Sequence, residues 1–131
     1  MKEKTITALM VAPNMKPCLI VLENNLDFLQ KAVSIGAPYQ GLIEVHTLEP
    51  GVCMICNEEG KLIGLPGNRR IGNDIIAGIF YIVGEDNCGN FSSLPKDITV
   101  KYIKIFQHPE NISEEDVLNS LFTSFSILPE E

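Results

Sequence analysis

The chain has 131 residues, 45% of them hydrophobic, and 17 Asp and Glu against ten Lys and Arg, a formal net charge of −7. That length suits one domain with an ordinary core, needing no staples. The acidity disfavours nonspecific nucleic-acid binding, because phosphate backbones are repelled, and the carboxylates form no long block of the kind a DNA mimic would show.

In chain order, Met1-Lys2-Glu3-Lys4 precedes a short apolar run, Thr5 to Ala12. Glu3, the shortness of the run and Pro13-Asn14 argue against a secretory leader. No apolar stretch reaches the roughly 18 residues of a membrane span, so a cytoplasmic location is expected. Residues 5–12 and 17–23 read as two strands joined at a Pro-Asn turn. Asn24 or Asn25 caps a helix over about 25–35, with Leu26, Leu29 and Val33 at helical spacing and Gly36 as its stop.

Leu42–Leu48 and Val52–Cys56 read as neighbouring strands around Glu49-Pro50-Gly51. In the first, Glu44 and His46 share a face, and His46 reads as a histidine at the sheet surface. Gly78–Val83 is apolar on both faces, which predicts a central strand covered on both sides. Ser92 or Ser93 caps a helix over about 95–106. Ser113-Glu114-Glu115-Asp116 spells a capping box. It opens a helix over about 113–126 with Val117, Leu118, Leu121, Phe122 and Phe125 along one stripe. That stripe suits core packing or a homodimer interface. The sum is one α+β domain over 1–131, with a mixed or antiparallel sheet of about five strands and two or three helices.

Four cysteines are present. Cys53 and Cys56 have zinc-knuckle or redox spacing. Residues three apart in a strand point to opposite faces, however. The cysteines therefore read as small buried hydrophobes, and neither a metal nor a cofactor is expected.

The chain resembles a small domain family of unknown function, associated with phages, plasmids and conjugative elements of Gram-positive bacteria. The resemblance runs from about Ile6 to Phe106. It rests on Leu26–Val33, Gly41–Glu44, Asp74–Gly78 and Ile82–Asp86, and above all on Asn57-Glu58-Glu59-Gly60-Lys61-Leu62-Ile63-Gly64-Leu65-Pro66-Gly67-Asn68-Arg69. The helix after Ser113 is an addition to the family-like core. The resemblance implies no activity; it implies an accessory role on mobile DNA, countering or modulating host systems.

The run from Asn57 to Asp74 carries the candidate site. Asn57 to Lys61 reads as a hairpin closing from Ile55 into Leu62-Ile63. Arg69 offers a planar fork for a carboxylate or phosphate, and Asn68 can both donate and accept. Asp74 pairs with Arg69 or Arg70 if the loop is merely pinned. The candidate binding residues are Asn57, Glu58, Lys61, Asn68, Arg69, Arg70 and Asp74. They fit a non-catalytic protein that holds a host or element protein, or a small anionic ligand. The alternative is a small hydrolase or nucleotide-processing enzyme using Glu58 or Glu59, Arg69 and Asp74. A protein-binding inhibitor would instead expose an apolar patch on the Phe122/Phe125 face.

Overall fold

The computed structural model describes residues 2–125, with the backbone alone for 123–125. The predicted place of Phe125 in the last stripe, and the helix end at 126, therefore lie outside the described residues. The elements are β1 Thr5–Val11, β2 Cys18–Glu23, α1 Leu26–Ala32, β3 Ile43–Glu49, β4 Val52–Asn57, β5 Gly67–Ile71, β6 Asp74–Ala77, β7 Phe80–Glu85, β8 Phe91–Ser92, α2 Lys96–Phe106 and α3 Glu114–Phe125. This is an α+β fold. No helix among the described residues is long and apolar enough to cross a membrane.

The main sheet runs β2-β1-β7-β4-β3, with β8 on the end of β7. Every pairing in it is antiparallel. β7 lies in the middle, and its alternation splits the core as its sequence predicts. Tyr81 and Val83 pack with Ile6, Leu22 and Ile55 beneath Leu29 and Ala32 of α1. Phe80 and Ile82 pack with Leu9, Val11 and Met54 beneath Tyr102 and Phe106 of α2. Each fully buried side chain of this kind contributes about 1.5–3 kcal/mol. Asn25 caps α1, its Oδ1 accepting from the Phe28 amide at 2.8 Å. The expected serine cap of α2 is replaced by Pro95, which makes no side-chain cap bond. Ser93 is engaged elsewhere: its hydroxyl accepts from the Thr7 amide at 2.9 Å.

The stretch after β4 departs most from the sequence reading. Residues 58–64 do not form a hairpin arm with Leu62-Ile63. They coil into helical turns, with the Ile63 amide donating to Glu59 C=O at 2.9 Å and the Leu65 amide to Gly60 C=O at 3.0 Å. Asn57 starts the coil, its Oδ1 accepting from the Glu59 amide at 2.8 Å. Gly60 is required there, since a Cβ would lie 2.4 Å from Ala77 C=O.

β5 and β6 then form a separate two-stranded sheet. A lone hairpin is marginal in water, so this one needs anchoring. Part of the anchor is a small third core of Leu65, Ile75, Ala77 and Val117. The rest is polar. Asn68 and Arg69 are both 0% exposed. The Asn68 amide nitrogen donates to Val11 C=O at 2.8 Å and Gly78 C=O at 2.9 Å. Arg69 donates to Phe106 C=O from Nε at 3.3 Å and from one terminal nitrogen at 2.9 Å. That nitrogen also reaches Met15 C=O at 2.7 Å, and the other reaches Asn68 Oδ1 at 2.8 Å. The cation thus sits on the C-terminal carbonyl of α2, where the helix dipole favours it.

Two expectations are corrected here. Arg69 and Asn68 lie in a strand, not a loop, and their polar groups are spent on the fold. Asp74 pairs with neither arginine. Arg69→Ala strands the Phe106 carbonyl and the Asn68 side-chain oxygen in the interior and is expected to cost about 3 kcal/mol or more. Arg69→Lys recovers little, lacking the fork. Urea unfolding measures both; a loss below about 0.5 kcal/mol for Arg69→Ala would contradict the clamp.

Candidate functional site

The hairpin β5–β6 and α3 close one side of a cleft of about 340 Å³. Its other side is the β3–β4 hairpin, which contributes Glu44, His46 and Cys56. The coil 58–64 forms its rim, with Glu58, Glu59, Lys61 and Leu62, while Asp74 and Leu121 line the wall.

Of the seven sequence-predicted residues, Asn57, Glu58, Lys61 and Asp74 line this cleft. Asn57 is 4% exposed and belongs to the turn it initiates. Lys61 Nζ lies 2.6 Å from Asp74 Oδ1 and 3.1 Å from Ser120 Oγ. Arg70 is directed to α3 and the segment before it, with Asp116 Oδ2 at 3.3 Å and Glu110 Oε1 at 3.9 Å. It thereby holds the start of α3, where the predicted capping box is formed: the Asp116 amide donates to Ser113 Oγ at 3.0 Å, and the Ser113 amide to Asp116 Oδ2 at 3.2 Å. Arg69 and Asn68 do not line the cleft.

The charge balance follows directly. Among the described residues of the lining, Glu44, Glu58, Glu59 and Asp74 face one cation, Lys61, which is already paired with Asp74. Such a cleft repels anions and attracts cations. The arginines from which an anionic ligand is inferred, Arg69 and Arg70, do not line it. The hydrolase arrangement is likewise not assembled, because Arg69 is buried against α2 rather than converging with Glu58, Glu59 and Asp74.

Sequence reading missed Glu44, His46 and Cys56 as a group. Glu44 and His46 share a face by strand alternation. The missing information was register: Glu44 pairs with Cys56, and His46 with Met54. Cys53 lies on the opposite face, in the core beneath α1, so the two cysteines are not a redox pair. Burial, then the Glu85 carboxylate, pushes the Cys53 thiol up to about 11. Burial, followed by the charges of Glu44 and Asp74, pushes the Cys56 thiol up to about 12. Neither thiol is an activated nucleophile at neutral pH.

A family model described as a domain of unknown function, DUF3846, matches residues 6–107. The match stops before α3. No curated protein and no solved structure matches the chain.

Asp74 supplies a pH test. Burial raises its pKa, but hydrogen bonds from Lys61, the Ile75 amide and Ser120, with the charge of Lys61, outweigh this and hold it below the usual value. A depressed carboxylate stabilises the fold above the unfolded pKa of about 3.9 and loses that contribution as pH falls through the folded pKa. Asp74→Asn is therefore expected to be less stable than the parent at pH 7, with the gap closing as pH drops below about 4. Urea midpoints across pH measure this; a gap independent of pH would contradict the assignment.

Proposed function

The chain belongs to the DUF3846 family of unknown function, and we propose that it is a non-catalytic accessory protein of a mobile element that binds a partner protein through the 57–74 region and α3. The family-like sequence pattern supports the mobile-element setting. The observation that carries the binding mode is how the region distributes charge and apolar surface. Arg69 is fully buried, and Arg70 and Lys61 are engaged within the chain. Around the same coil, Leu62 is 60% exposed, Leu118 49% and Phe122 53%.

The stripe of α3 divides accordingly. Val117 is buried against the β5–β6 hairpin, while Leu118 and Phe122, four residues apart, face outward together. Outward apolar side chains beside an acidic rim suit a protein surface that is apolar at its centre and basic at its edge. A small anionic ligand would have to compete with Asp74 for Lys61 and with Asp116 for Arg70. A second copy of the chain remains the other candidate partner for this helix face.

A photo-crosslinking residue placed at Leu62 or Phe122 tests the reading in cells carrying the element, with Lys96 as a distant control. One discrete adduct from 62 and 122, absent from 96, is the expected result. An adduct of twice the chain mass would identify the partner as the protein itself. Equal labelling from all three positions would overturn the site.

A further inference from the structure

We propose that Glu44, His46 and Cys56 form a binding site for a divalent transition-metal ion of the zinc class on the floor of the cleft. The proposal does not depend on partner binding through α3. The three ligand atoms, one carboxylate oxygen, one imidazole nitrogen and one sulfur, all lie within 4.8 Å of one another.

Two of the three spacings, those to Glu44, are close to those of a coordination sphere. His46 Nε2 lies 3.2 Å from Glu44 Oε1, and Cys56 Sγ lies 3.8 Å from the same oxygen. Metal–nitrogen and metal–oxygen bonds of about 2.1 Å at the tetrahedral angle put those two donors roughly 3.4 Å apart. With a metal–sulfur bond of about 2.3 Å, sulfur and oxygen stand roughly 3.6 Å apart.

A second observation supports a ligand at this nitrogen. His46 Nε2 is hidden from solvent and has no hydrogen-bond partner among the described residues, although the side chain as a whole is 40% exposed. The nearby Glu44 oxygen is close but not aligned as an acceptor. Buried polar atoms are almost always satisfied, and a metal ion would satisfy this one. The Cys56 thiol is no better served, since its contact with Glu44 is long even for sulfur.

The backbone makes the group rigid. Glu44 and His46 are alternate residues of β3, and Cys56 stands opposite Glu44 across the antiparallel ladder. The donor set of one nitrogen, one sulfur and one oxygen selects zinc, cobalt or nickel over magnesium or calcium, which take oxygen alone. The surplus of carboxylates in the lining adds a favourable field for a cation. Three protein ligands leave a fourth position, open to the cleft, for water or a donor from a bound partner.

Cobalt(II) is the probe. Titration into the chelator-stripped protein is expected to give one tetrahedral cobalt per chain, with a thiolate-to-cobalt charge-transfer band. Cys56→Ser is expected to abolish that band, and His46→Ala to weaken affinity by tenfold or more. Cys53→Ser, on the other face of the sheet, is expected to keep the band. His46 is half-exposed, so His46→Ala decides the matter if Cys56→Ser fails to fold. Absence of the charge-transfer band, its survival in Cys56→Ser, affinity unchanged in His46→Ala, or its loss only on replacing the exposed Cys18 or Cys88 would overturn the site.

Discussion

One buried guanidinium ties together three parts of this chain that are far apart in sequence. Arg69 binds the last carbonyl of α2, the Met15 carbonyl between β1 and β2, and the side chain of its neighbour Asn68. Asn68 in turn holds Val11, at the end of β1, and Gly78, where the chain passes from β6 into β7. A buried charge is costly unless its donors are satisfied. Here the partners are neutral carbonyls, so the cation can be held only if α2, the β1–β2 turn and β5 arrive together.

The rest of the site follows from that constraint. Because β5–β6 is fixed against the main sheet, its outer side can carry the third small core, to which Val117 of α3 adds. Because α3 is seated there, Leu121 and Asp74 complete a wall opposite Glu44, His46 and Cys56. The cations that give the 57–74 stretch the look of an anion site are the ones used to build this assembly. What remains facing the cleft is acidic.

The fold was largely legible because its signals were local. The two-sided apolar run Gly78–Val83 announced a central strand, the Asn24-Asn25 pair announced a cap, and the Ser113/Asp116 box announced α3. The 57–74 stretch was misread for a physical reason. A run of Gly, Asn and Pro indicates turns, and Asn-Arg-Arg looks solvent-loving, yet the short hairpin draws Asn68 and Arg69 inward because distant backbone carbonyls need donors. No local pattern marks a carbonyl on a helix 37 residues away. The cleft group was hidden for a related reason. Alternation placed Glu44 beside His46, but only the register of β3 on β4 brings Cys56 to the same spot.

Native-state hydrogen exchange tests the clamp most directly, by comparing amides of β5–β6 with those of β7. If Arg69 and Asn68 bind the hairpin to the sheet, both sets exchange through the same global opening, with equal free energies. Hairpin amides that open separately, at a free energy lower by roughly 2 kcal/mol or more, would show that the hairpin is a satellite and that the clamp does not unite the fold.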